Sequence, residues 1–150
     1  MFAIDDFKQR SNAASGKLIV YGAFGGRMDQ TLSSIHELIW ITNHFRQQNL
    51  ELELILCDMF SLMMLVEPGE TIIYPSSKLE AQKGCGLIPV SGVVKKITTS
   101  GLKWELGGDS IELGVFISTS NEITGDSVKI VSSDPVIWVT SLNDEQSESE

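Results

Sequence analysis

Basic residues are scarce in this 150-residue chain: eleven Lys and Arg stand against twenty Asp and Glu, a net charge of −9. No basic run appears along it, so a phosphate-backbone partner such as DNA or RNA is disfavoured. Cysteine is scarcer. Cys57 and Cys85 are too few and too poorly placed for a disulfide framework or a Cys-rich zinc site. Histidine is as rare: His36 and His44 share one helical stretch with no carboxylate or cysteine at metal-ligand spacing, and no metal site is expected. Long apolar runs are missing too, since the longest, Met59 to Val66, is broken by Ser61 and falls short of a membrane span. No secretion signal precedes the first strand, which makes a cytoplasmic, reducing compartment the default expectation. No serine has a nucleophile-elbow context and neither cysteine has a His partner in sequence, so hydrolase chemistry finds no support.

What is there is enough to fold. The 42% hydrophobic content supports one ordinary domain or two small halves. Phe2, Ala3 and Phe7 lie at helical spacing within Met1 to Arg10, and Ser11 to Gly16 breaks that pattern. Leu18 to Tyr21 is a continuous apolar run, as expected for a strand buried on both faces of a mostly parallel sheet. Thr31 to Gln48 sets Leu32, Ile35, Ile39 and Thr42 on one stripe with Leu38, Ile41 and Phe45 beside it, an amphipathic helix, and Glu51 to Cys57 is the next strand. This α/β part is too short to close a covered sheet, so both strands are expected to lack neighbours and expose edges.

From Asp58 the pattern changes to short strands between turn residues: 61–66, 71–74, 86–90, 93–99, 103–106, 111–118, 128–131 and 136–140. Gly107-Gly108-Asp109 and Gly125-Asp126 read as hairpin-type turns. The fold class expected is therefore α/β followed by all-β, with the α/β part over 1–57 and a small antiparallel β-sandwich over 58–142. Residues 143–150 carry Asp144, Glu145, Glu148 and Glu150 among serines and read as a solvated, disordered acidic tail.

The most informative stretch is Gly22-Ala23-Phe24-Gly25-Gly26-Arg27-Met28-Asp29-Gln30, between the first strand and the helix. Gly22, Gly25 and Gly26 let the chain turn tightly and bring backbone N–H groups near an anion at a helix N-terminus, and Arg27 adds a planar fork suited to phosphate. The spacing is neither a Rossmann fingerprint nor a P-loop. Asp29 is either a ligand for a cationic or donor group or simply the helix N-cap. Ser118-Thr119-Ser120-Asn121 is either a polar turn or a cluster suited to a neutral heteroaromatic edge. Trp104 is either a core residue or a stacking face, and Trp40 and Trp138 read as packing residues.

Taken in order, these segments resemble the later part of the thiamine pyrophosphokinase family. Gly25-Gly26-Arg27-Met28-Asp29-Gln30 is similar to the family's Gly-Arg-Phe/Leu-Asp-His/Gln motif, with Met28 in place of a larger apolar residue. Cys85-Gly86-Leu87-Ile88-Pro89-Val90, Thr98-Thr99-Ser100-Gly101-Leu102-Lys103-Trp104, Ser118-Thr119-Ser120-Asn121 and Ser133-Asp134-Pro135-Val136-Ile137-Trp138 follow in the family's order. The resemblance covers Leu18 to Leu142. It implies the rear of an α/β/α nucleotide-binding domain followed by a thiamine-binding β-sandwich, paired as a homodimer with thiamine between one subunit's α/β domain and the other's sandwich. It implies that Gly22, Gly25, Gly26 and Arg27 face the phosphates of ATP, and that Asp29 and Gln30 lie near the thiamine end. Trp104 would stack on the thiamine pyrimidine, with Ser118, Ser120 and Asn121 hydrogen-bonding to it. The implied activity is transfer of diphosphate from ATP to thiamine with Mg²⁺. The family's Ala-Asp-Gly, Gly-Asp-x-Asp-Ser and Thr-Asp segments, whose carboxylates hold Mg²⁺ and ATP, have no counterpart in this sequence. The chain therefore reads as N-terminally truncated, and the alternative expectation is a catalytically incomplete fragment acting as a dimerisation or thiamine-binding module.

Overall fold

The computed structural model describes residues 15–75 and 84–142. The helix expected over Met1 to Arg10 and the acidic tail lie outside them. The described chain is mostly β, with one helix. Its elements are β1 (Ser15–Tyr21), α1 (Met28–Gln47), β2 (Glu51–Cys57), β3 (Ser61–Val66), β4 (Gly69–Ile73), β5 (Gly84–Ile88), β6 (Val94–Ser100), β7 (Gly107–Ile111), β8 (Ser118–Glu122), β9 (Val128–Ser132) and β10 (Val136–Ser141). They form a six-stranded sheet, in the order β1-β2-β3-β10-β5-β8, and a four-stranded sheet, in the order β4-β9-β6-β7.

Alternation within the strands produces the layers. Leu52, Leu54 and Leu56 of β2 point to one face and, with Met63, Leu65 and Ile137, pack against Leu38 and Phe45 of α1. Val66, Leu87, Val136 and Trp138 leave the other face and meet Val94, Ile97, Ile111, Val128 and Ile130 of the smaller sheet. Central strand β10 is thus buried on both sides at Val136, Ile137 and Trp138. Burial of each such side chain contributes about 1.5–3 kcal/mol, so this strand anchors both cores.

β1 and β2 pair in parallel, whereas β2 pairs antiparallel with β3. The reversal is made by Asp58, whose Oδ1 accepts the N–H groups of Phe60 (2.8 Å) and Ser61 (2.7 Å). One sheet therefore runs on through residues 57 and 58, and β2 has a neighbour on each side, contrary to the expectation that it would expose an edge.

Further expectations are corrected. β1 is not buried on both faces: α1 packs on β2 and β3 instead, leaving β1 at the sheet edge with Ile19 61% and Tyr21 69% exposed. Residues 103–106 form a loop, and Gly107-Gly108-Asp109 begins β7 instead of making a hairpin turn. The apolar run from Ile111 to Ser118 is no single strand. A turn closed by Glu112 and Phe116, with Gly114 at φ +85°, interrupts it and leaves Leu113, Val115 and Phe116 exposed. Apolar content does not distinguish a strand from such a tip. The chain does bend at Gly125 and Asp126, but it passes there from β8 in one sheet to β9 in the other, so this is a crossing between sheets and not a hairpin turn.

Candidate functional site

The glycine loop leaves the end of β1 under firm constraint. Gly22 and Ala23 donate their N–H groups to the Cys57 carbonyl at the end of β2, at 2.8 and 3.3 Å. Gly22, Gly25 and Gly26 all hold positive φ, at +81°, +89° and +67°, and the space around each would-be Cβ is open. The requirement for glycine here is conformational. The helix cap is Arg27, with extended φ/ψ, and not Asp29, which lies in the first turn. Asp29 is engaged otherwise: its Oδ1 accepts from Arg27 Nε at 3.0 Å and its Oδ2 from Arg27 Nη2 at 2.6 Å. That fork holds the Asp29 carboxyl below its ordinary pKa. Arg27, Met28, Asp29 and Gln30 are all exposed, so a cationic group and a carboxylate stand together at the lip of an open loop.

The second set of residues gathers around the outer side of β8. Leu102 pairs with Ile123, so the loop from Gly101 to Leu106 runs along the end of that strand. Asn121, buried, grips the peptide of Trp104: Oδ1 accepts its N–H at 3.1 Å and Nδ2 donates to its carbonyl at 2.7 Å. The same amide also takes the Glu122 N–H and reaches Ser118 Oγ. Glu105 ties the loop from within, accepting from Gly101 N (2.7 Å), Leu102 N (2.9 Å) and Thr99 Oγ1 (2.7 Å). Trp104 is left 55% exposed. Lys103 Nζ sits 4.6 Å from its ring centroid and reaches both Glu122 carboxylate oxygens at 2.8 Å. Glu105 and Glu122 carry no distinguishing mark in the sequence and Lys103 none beyond standing next to Trp104 in its motif, because charged residues in turns are ordinary and only the fold brings these together.

Ser118-Thr119-Ser120-Asn121 belongs to β8 itself instead of ending an apolar strand. Ser120 is exposed with φ +56°, a left-handed conformation uncommon outside glycine, beside a bulge where β8 shifts register against β5. Thr119 and Ser120 line a shallow groove of about 290 Å³ with Gly84, Gly86 and Ser141; Trp104 does not line it. A Cβ on Gly86 would lie 2.9 Å from the Ser118 carbonyl oxygen, so glycine is what lets the two strands meet there.

The two groups share one end of the six-stranded sheet but not one edge. Register runs from Tyr21 through Cys57, Leu62, Thr140 and Cys85 to Asn121. These are five strand spacings, or about 24 Å. Within one chain the strand that leads into the arginine loop and the strand whose Asn121 holds the tryptophan loop are therefore opposite edges of the sheet.

Of the two tryptophans read as packing residues, one is in the core and the other is not. Trp138 is buried, while Trp40 is partly exposed with its ring stacked on His44 at 5.6 Å. Among the described residues no group of three or more His, Cys, Asp and Glu is placed to hold a metal ion, and no helix is long and apolar enough to cross a membrane.

Comparison with known proteins agrees with this fold. Residues 70–137 match the family described as thiamin pyrophosphokinase, vitamin B1 binding domain. Thiamine pyrophosphokinase 1 of Oryza sativa subsp. japonica is 34% identical over 125 residues, which are 83% of this chain and 44% of the rice protein. Thiamin pyrophosphokinase from Candida albicans superposes with a TM-score of 0.77 at 21% identity, over 93% of this chain and 49% of that one, a likeness of fold. The yeast thiamin pyrophosphokinase superposes with a TM-score of 0.72 at 26% identity, over 83% and 39%. The chain spans less than half the length of these relatives.

Proposed function

We propose, from the premise that this chain is a relative of the thiamine pyrophosphokinases and carries their vitamin B1 binding domain, that it serves thiamine diphosphokinase activity as the part that holds thiamine. The observation that carries this reading is the family match over 70–137, which contains Trp104, Ser118, Ser120 and Asn121. Trp104 offers an exposed indole to a flat cationic ligand, on a backbone that Asn121 and Glu105 keep in place. Ser118 and Ser120 supply hydroxyls for the pyrimidine edge, and Asn121 acts through the Trp104 peptide.

At the other edge, Gly22, Gly25, Gly26 and Arg27 face the phosphates of ATP, with Asp29 and Gln30 toward the thiamine. In the α/β/α nucleotide-binding domain and β-sandwich of this proposal, residues 1–57 belong to the former and 58–142 to the latter. The separation of about 24 Å between the two edges of one sheet exceeds what side chains can span when reacting atoms must approach to about 3–3.5 Å. A cytoplasmic homodimer supports both requirements, setting Arg27 of one chain opposite Trp104 of its partner.

In the reaction the thiamine hydroxyl oxygen bonds to the β-phosphorus of ATP as the bond from that phosphorus to the oxygen of the α-phosphate breaks. The products are thiamine diphosphate, AMP and the hydroxyl proton. Phosphoryl-type transfer depends on positioning and on cations that neutralise developing charge. The described residues do not fit a Mg²⁺ site, since they gather no carboxylate cluster. That observation favours the second reading, a thiamine-binding or dimerisation module without turnover of its own. Incubating the full chain with ATP, Mg²⁺ and thiamine separates the two: AMP formed in step with thiamine diphosphate supports the enzyme. Calorimetric thiamine binding with no AMP supports the module, and neither result together overturns both.

A further inference from the structure

An exposed tryptophan in a loop ordinarily samples several rotamers, and immobilising such a side chain on binding costs affinity. Trp104 has its backbone fixed by Asn121 and Glu105, but those bonds do not set the direction of the ring. Lys103 can. Its N–H donates to the Glu122 carbonyl at 2.9 Å, and its side chain folds over the next residue until Nζ stands 4.6 Å from the indole centroid. Both carboxylate oxygens of Glu122, at 2.8 Å, hold the ammonium there. An ion pair this exposed contributes little stability of its own, but it lets the cation be fixed against one face of the ring. Because Glu122 balances the Lys103 charge, the free face of the indole stays attractive to a second cation.

We infer that Lys103, held by Glu122, positions Trp104 by occupying one face of its indole, so that a flat cationic ligand is received on the opposite face alone. Both are positioning residues, and the inference rests on the reading of Trp104 as the stacking surface for thiamine. It assigns Lys103 and Glu122 a part in affinity without contact to the ligand.

The test uses the full chain labelled with 5-fluorotryptophan, which carries three fluorine reporters, the Trp104 resonance being assigned by its loss in Trp104→Phe. Lys103→Met and Glu122→Gln should each shift and broaden that resonance and leave those of Trp40 and Trp138 in place. They should weaken thiamine binding, read by calorimetry, roughly threefold to tenfold, while Lys103→Arg restores both readouts. If Trp104→Ala abolishes thiamine binding but Lys103→Met and Glu122→Gln change neither resonance nor affinity, the positioning role is overturned and the thiamine reading stands. If Trp104→Ala binds thiamine as the unaltered chain does, or the unaltered chain binds none, the thiamine reading falls and this inference falls with it.

Discussion

Asn121 and Trp104 are locked peptide to amide: Asn121 accepts the Trp104 N–H at 3.1 Å and returns a bond of 2.7 Å to its carbonyl. With Asn121 only 2% exposed, this contact joins the edge strand of the six-stranded sheet to the loop that presents the indole.

Asn121→Ala should therefore act on stability and on the ligand surface together. It leaves the Trp104 peptide and the Glu122 N–H without their partners, a cost of about 1–3 kcal/mol. Urea denaturation should show a lower midpoint, and thiamine affinity should fall in the folded variant. An unchanged midpoint would show that water replaces the amide without loss.

Gly101 opens the same loop at φ +95°, and a Cβ there would lie 2.1 Å from the Ser127 carbonyl oxygen, a backbone atom that cannot rotate away. Gly101→Ala should be destabilised well beyond the roughly 1 kcal/mol of positive-φ strain alone. Gly114→Ala is the control, since its φ is +85° and its Cβ would meet nothing within 4 Å. Equal denaturation midpoints for the two variants would refute the steric argument.

Arg27→Ala should weaken use of ATP far more than binding of thiamine, because the guanidinium serves phosphate in the proposed arrangement. Its partner gives a second handle: Asp29 occupies Nε and Nη2 of Arg27. Asp29→Asn should loosen that pair and raise affinity for inorganic phosphate, measured by calorimetry. If phosphate affinity is the same in unaltered, Arg27→Ala and Asp29→Asn chains, Arg27 is not an anion ligand.

Burial, with a smaller contribution from the nearby Glu122 charge, pushes the Cys85 thiol up to about 12. The unfolded chain releases that proton near pH 8.5 and the folded chain keeps it. Stability from this group is thus full below that pH and lost as pH rises toward 12. Urea midpoints measured from pH 8 upward should fall less steeply for Cys85→Ala than for the unaltered chain. Parallel slopes would mean that the thiol titrates alike in both states.

Much of the fold was legible because alternation and helical spacing are local properties. β2, β3, β9, β10 and α1 fall within a few residues of their expected bounds, since each presents a regular apolar face to a core. Legibility failed where apolar residues serve no core. Ile19 and Tyr21 suggested burial yet lie on an edge, and Leu113, Val115 and Phe116 suggested a strand yet form an exposed tip. It failed also at Asp29, where an acidic residue beside a helix start looks like a cap but is held by Arg27 instead.

The site divides along the same line. Local sequence determined which chemistry is present, because three glycines at positive φ, an arginine beside them, and a tryptophan ahead of a polar strand are decided by residue type and by neighbours a few positions away. It could not determine which of these groups meet, because pairing order in a sheet depends on long-range burial. Only the tertiary structure set β1, which leads to the arginine loop, and β8, which carries Asn121, at opposite edges of six strands, brought Lys103 and Glu122 together across nineteen positions of sequence, and closed the Asn121 amide on the Trp104 peptide.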